Sequence, residues 1–194
     1  MADVAVVFHS DNRTTQQLAQ AVHQGCISVG GVSSELLQIT GKAIIEGRFC
    51  NSEFLQQLEP TKAIIFGSPT YMGCVSAQFK AFADATGDLW EQQRWANKIA
   101  AGFTIGSNLS GDQLNTLQYL QVFASQHGML WAGLDVPGTN SPGEGTTAMK
   151  PQNRLGAQSG LVAHSADGVV HSGDLASAVY LGQRVARISQ QLAF

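Results

Sequence analysis

Apolar and polar positions fall in alternating blocks along this chain. Val4-Ala5-Val6-Val7-Phe8 is a short, wholly apolar run, as expected of a strand covered on both faces. Thr14 to Gln24 follows with helical spacing: Leu18, Ala21 and Val22 share one face, and Gly25 is a stop. Val32 to Ile39 reads as a second strand and Ala63-Ile64-Ile65-Phe66 as a third. The next helix puts Phe79, Phe82 and Ala83 on one face and ends at Gly87. Ile99 to Thr104 predicts a fourth strand and Met129 to Leu134 a fifth. Between these two, Ser110 and Gln113 form a capping-box pattern for a helix carrying Leu114, Leu117, Leu120 and Ala124 inward. A last helix, capped by Asp174, bears Leu175, Ala178, Val179, Val185 and Ala186. Gly41 to Pro60 is irregular apart from a short helix over Ser52 to Gln57, and Pro137 to Gly160 is a long Gly/Pro-rich connection.

Five rounds of strand and helix, without a repeat or a linker-like break, predict an α/β fold. It is a doubly wound five-stranded parallel sheet with helices on both faces, formed by residues 1–194 as a single domain. A strand order of 2-1-3-4-5 places the switch point between the first and third strands, where ligands of open α/β sheets bind. The chain's 194 residues are 44% hydrophobic and only 13% charged, which suits one sizeable core. A net charge of −3 provides no basic stripe for nucleic acid, and no apolar run approaches the roughly 18 residues of a membrane span. The start, MADVAVVF, lacks a basic leader region. Cys26, Cys50 and Cys74 are odd in number and form no CxxC pair. They read as free thiols, so a cytoplasmic location is expected.

Three strand-end loops carry the candidate chemistry. Ser10, Asp11, Asn12, Arg13, Thr14 and Thr15 combine hydroxyl and amide side chains with the N–H groups of a helix start, a nest for a phosphomonoester. Neither a Walker loop nor GxGxxG is present; simple helix capping by Ser10 or Thr14 is the competing explanation. Gly67-Ser68-Pro69-Thr70-Tyr71-Met72-Gly73 is a neutral loop suited to a flat, partly polar ring. Tyr71 and Met72 are candidates to lie along a flavin, with the amides near Met72 and Gly73 at its edge; a plain surface turn is the alternative. Ile105, Gly106, Ser107, Asn108, Leu109 and Ser110 make a third loop able to wrap the far side of the ring. His164, Asp167 and His171 lack tight ligand spacing, so no metal site is expected.

GSPTYMG…QFKAFADATGDLW, from Gly67 to Trp90, resembles the GTPTR(F/Y)GN…TGxLW signature of the WrbA-type NAD(P)H:quinone oxidoreductases, and the likeness runs from about Val4 to Leu134. It implies a flavodoxin-like fold, non-covalent FMN, hydride from NAD(P)H and a quinone-like small-molecule acceptor. It also implies a homo-oligomer, a dimer or more usually a tetramer. By this resemblance Ser10 to Thr15 hold the phosphate, while Pro69, Thr70, Tyr71, Met72 and Gly73, with Ile105 to Ser110, flank the flavin. Gln126 stands where the family has a flavin-contacting histidine. Trp90, Asn12 and His127 fall at substrate-side positions, with a core role as the alternative for His127. Several positions depart from the pattern: Tyr71 replaces an arginine, Cys74 an asparagine and Asn12 an aromatic, and Ser107-Asn108-Leu109-Ser110 replaces a Thr-Gly-Thr-Gly-Gly loop. A flavodoxin-type electron carrier and an FMN-free interaction protein are the alternative functions.

Overall fold

In the computed structural model, which describes residues 2–138 and 152–191, strand and helix alternate as the blocks predict. The first strand, β1 (Val4–His9), leads through the first loop into α1 (Thr14–Ile27), and β2 (Ser34–Ile39) follows. The irregular stretch contains a 3₁₀ turn over Gly41–Ala43, a small hairpin of β3 (Ile44–Ile45) and β4 (Arg48–Phe49), and α2 (Ser52–Leu58). Then come β5 (Ala63–Tyr71), β6 (Cys74–Val75), α3 (Ala77–Asp84), α4 (Gly87–Glu91), β7 (Ile99–Gly106) and α5 (Gln113–Gln126). The described chain closes with β8 (Leu130–Trp131), β9 (Leu161–His164) and α6 (Ser172–Gln191). The main sheet runs β2-β1-β5-β7-β8 with parallel pairing throughout. With the short hairpin strands set aside, this is the 2-1-3-4-5 order.

Alternation along the strands divides the core into two layers. Val4, Val6 and Phe8 pack with Leu18 and Val22 of α1 and Leu181 and Val185 of α6. Ala5, Val7, Ile64 and Phe66 face Phe79 and Phe82 of α3 and Leu117, Leu120 and Phe123 of α5. The α1/α6 crossing depends on two glycines. A Cβ on Gly25 would sit 2.0 Å from the Val179 carbonyl oxygen, and one on Gly182 would sit 2.0 Å from that of Val22. No other residue permits so close an approach. Among the described residues no helix is long and apolar enough to cross a membrane.

Four expectations need correction. The fifth strand does not run from Met129 to Leu134: only Leu130 and Trp131 pair, and the edge of β7 is then taken over by β9, from Phe103 to Gly106. The returning chain displaces the outgoing one. Gly133 lies directly against the Gln158 carbonyl and Gly160 against that of Gly102, and Leu134 N–H donates to Gln158 O. The expected capping box is absent. Asp112, in the left-handed conformation, precedes α5, and the Gln113 side chain donates instead to Asn108 O. Leu114 is exposed, and Thr116 takes the inward place beside Leu117. Asp174 lies inside the first turn of α6, where it accepts from His164 N–H and pairs with Arg154; the His171 ring accepts from Gly173 N–H instead.

Candidate functional site

The carboxyl ends of β1, β5 and β7 bring the three predicted loops to one edge of the sheet. The first loop turns sharply because Arg13 adopts a left-handed conformation (φ 68°) immediately before α1. Ser10 Oγ accepts from Gln16 N–H at 3.2 Å, and Asn12 Oδ1 accepts from both the N–H and the hydroxyl of Thr14. Ser10 therefore does cap the helix start, whereas Thr14 serves as a donor to the loop. Thr15 is different. Its side chain is wholly buried and Oγ1 has no hydrogen-bond partner. A buried hydroxyl without a partner is unfavourable by about 1–3 kcal/mol, and here it lies in the first turn of a helix that follows an exposed loop. An anion at this helix start would give the hydroxyl a partner.

The second segment is less of a loop than its composition predicts. Strand β5 continues through Ser68, Pro69 and Thr70 to Tyr71, and only Met72 and Gly73 turn, both with positive φ, into β6. This is the two-residue hairpin geometry that demands left-handed backbone. Proline is tolerated because β1 stops pairing at Gly67, leaving only β7 beside Pro69. Ser68 and Pro69 are consequently buried, Thr70 half-buried, and Tyr71 and Met72 exposed. Thr70 Oγ1 lies 2.8 Å from both Thr104 Oγ1 and Thr116 Oγ1, a hydroxyl chain that fixes this end of β5 against β7 and α5. Burial raises the Tyr71 phenol pKa, and the neighbouring Asp11 carboxylate raises it further, linking the first two segments. His9, at the end of β1, is held below its usual pKa by burial, partly offset by Asp11.

The third loop begins with Ile105 and Gly106 still in β7, while Ser107, Asn108, Leu109 and Ser110 are exposed. Its carbonyls are held from outside: Gly106 O by Ser165 N–H, Ser107 O by the His164 ring and Asn108 O by Gln113 Nε2. His164 and Ser165 were not anticipated at the site. LVAH is too short to show a period inside a Gly/Ser-rich segment, so β9 carries no sequence signal that would find it. Among the described residues no cluster of three or more metal-ligating side chains exists. Asp167 Oδ1 accepts from Val169 N–H.

Three predicted residues do not join this crevice within one chain. Helix α5 runs antiparallel to the sheet, so Gln126 and His127 lie at its amino end, where Leu130 N–H meets Lys98 O. Trp90 is there too: Gln93 Nε2 donates to the carbonyls of both Trp90 and Gln126. The eight residues of β7 separate the two ends by roughly 23 Å, at about 3.3 Å per residue. Trp90 and Gln126 are exposed, whereas His127 is buried. The His127 ring stacks at 4.4 Å on Trp95, its Nε2 is 2.9 Å from Thr86 Oγ1, and burial lowers its pKa to about 4. It is a core histidine in this chain.

The described end of the long connection, 152–160, starts on α6, where Asn153 N–H donates to Ser177 Oγ and Arg154 pairs with Asp174, and reaches α5 and β8, where Ser159 O accepts from Gln121 Nε2 and Trp131 Nε1. Beside the third loop it leaves a cleft of about 440 Å³ whose lining includes Leu109, Leu114, Gly156 and Val162.

Residues 4–137 match the family model described as NADPH-dependent FMN reductase. A flavodoxin, FldP, from Pseudomonas aeruginosa is 35% identical over 99% of both chains. An NAD(P)H dehydrogenase (quinone) from Archaeoglobus fulgidus is 31% identical, covering 99% of this chain and all of that one. Among solved structures, a WrbA-like flavodoxin from Agrobacterium tumefaciens superimposes with a TM-score of 0.73 at 34% identity, over 98% of this chain and 99% of that one.

Proposed function

Because the chain belongs to the NADPH-dependent FMN reductase family, we propose that it is an FMN-dependent oxidoreductase that passes hydride equivalents from NAD(P)H to a quinone or a similar small acceptor. The observation that carries the reading is the buried, unpartnered Thr15 hydroxyl in the helix turn that follows a left-handed loop, at the same sheet edge as a wall bearing exposed Tyr71 and Met72. An anion fits the first and a flat ring fits the second. Ser10 to Thr15 would hold the phosphate, with Pro69 to Gly73 and Ile105 to Ser110 on either side of the ring. Bound there, FMN supplies two-electron chemistry at its ring. The protein's part is to bind, to orient and to stabilise negative charge through backbone N–H groups. Asp11 and Tyr71 are the titratable side chains at the first two segments, and neither is required to move a proton.

The amino-end position of Trp90 and Gln126 supports a homo-oligomer in which a second copy brings them to the crevice. Sedimentation of wild-type protein and Trp90→Ala tests this; a monomeric wild type would overturn it. The chain is read as one domain working in the cytoplasm, a reading supported by three unpaired cysteines. Loading with FMN, anaerobic bleaching by NADH or NADPH, and recovery of colour with benzoquinone are the expected results. Absence of bleaching by either nucleotide would sink the proposal. An electron carrier is the second reading, supported by the relative named flavodoxin. Electron transfer only in the presence of a protein partner would favour it.

A further inference from the structure

The third loop is pinned by its carbonyls, and one of the pins is a histidine that nothing in the family pattern above assigns. Gly106 O accepts from Ser165 N–H at 3.1 Å. Ser107 O lies 3.2 Å from His164 Nε2, and Asn108 O accepts from Gln113 Nε2 at 2.8 Å. A trans peptide is planar, with C=O and N–H pointing in opposite directions. Three successive carbonyls turned toward β9 and α5 therefore turn the N–H groups of Ser107, Asn108 and Leu109 the other way. Two of the pins come from the backbone or from a buried glutamine at the base of α5. The third is a half-buried side chain. A carbonyl can only accept, so His164 Nε2 must carry a proton in this contact.

We propose that His164 is a positioning residue for the 105–110 loop, holding the Ser107 carbonyl back so that the loop offers N–H donors to the bound cofactor. This rests on the FMN reading of the same crevice. His164 itself is anchored at the other end: its N–H donates to Asp174, which the Arg154 guanidinium pairs. The anchor joins the long connection, β9 and α6 to a loop that departs from the Thr-Gly-Thr-Gly-Gly pattern. A loop with fewer glycines is less able to settle around a ligand unaided, and an external tie replaces that freedom.

The test compares His164→Leu with His164→Gln, whose amide Nε2 reaches the same place as the ring Nε2. FMN affinity of His164→Leu should fall about fivefold, the effect of one net hydrogen bond, and the absorption of bound FMN should shift. His164→Gln should return both to within about twofold of wild type. In FMN-free protein, hydrogen exchange at the amides of Ser107, Asn108 and Leu109 should quicken in His164→Leu alone, with the helices unchanged. Wild-type affinity and exchange in His164→Leu would overturn the proposal, and so would equal losses in the two variants. If the wild-type chain takes up no FMN, the cofactor reading fails, and the exchange comparison alone decides the role of His164.

Discussion

At the amino end of the sheet, Lys98 is buried and donates to three carbonyls, those of Leu58, Glu59 and Thr61. At the carboxyl end, Thr15 is wholly buried and its hydroxyl has no partner. His127 Nδ1 and Trp95 Nε1 also lack partners, but both belong to an aromatic cluster with Phe123. Thr15 directly follows the exposed stretch Asp11, Asn12 and Arg13 in α1's first turn. One end uses its polar groups to close the structure. At the other, Thr15 keeps an unpartnered hydroxyl, and the proposed phosphate site is built on that difference.

The sharpest way to break the comparison is to make the two ends behave alike. Lys98→Met should destabilise the fold by about 3 kcal/mol, because three carbonyls lose their donor, while FMN affinity of the folded protein stays unchanged; urea unfolding and fluorescence titration read the two. Acid should act at the same end. Burial holds His127 at about 4, below the unfolded value of 6.5, so the unfolded chain binds the proton first. Its contribution is complete above pH 6.5 and is lost as pH falls toward 4, a change on the order of 3 kcal/mol. His9 is shifted in the same direction, whereas Asp3, held at about 2, matters only below about pH 4. Unfolding curves across this range should therefore flatten, though not completely, in His127→Leu.

The carboxyl end should respond in the opposite sense. Thr15→Val keeps the shape, removes the unpartnered hydroxyl, and should leave the FMN-free protein as stable as wild type or more so by about 1 kcal/mol. Its FMN dissociation constant should rise about tenfold, the effect of a hydrogen bond to a charged group. Loss of stability without loss of affinity would erase the distinction between the ends. The smallest effect belongs to Met72, fully exposed and held at φ 47°. Met72→Gly relieves a left-handed side chain and should stabilise the protein by at most about 1 kcal/mol, while weakening whatever rests on that wall.

Much of this was legible in sequence because it depends on local periodicity. Val4 to Phe8, Ala63 to Phe66 and Ile99 to Thr104 are apolar on both faces, and they form the central strands. The three loops follow from where those strands stop. What escaped prediction depends on distant partners. β9 exists because Leu161 to His164 find the free edge of β7, which no local pattern announces. Tyr71 belongs to a strand because Cys74 folds back to pair with it. Trp90, Gln126 and His127 could be matched to a family motif, but only the antiparallel course of α5 reveals that they stand at the wrong end of their own sheet.

The glycine crossing of α1 and α6 also fixes an order of events during synthesis. Helix α1 leaves the ribosome well before α6, yet each covers the other, with Gly25 and Gly182 at the contact. The side of α1 that α6 covers, around Gly25 and Cys26, therefore stays open until α6 has been made, however early β1 and α1 take shape. A premature stop anywhere before Ser172 leaves that face permanently bare. A product truncated there exposes to chaperones and proteases the surface that this contact covers.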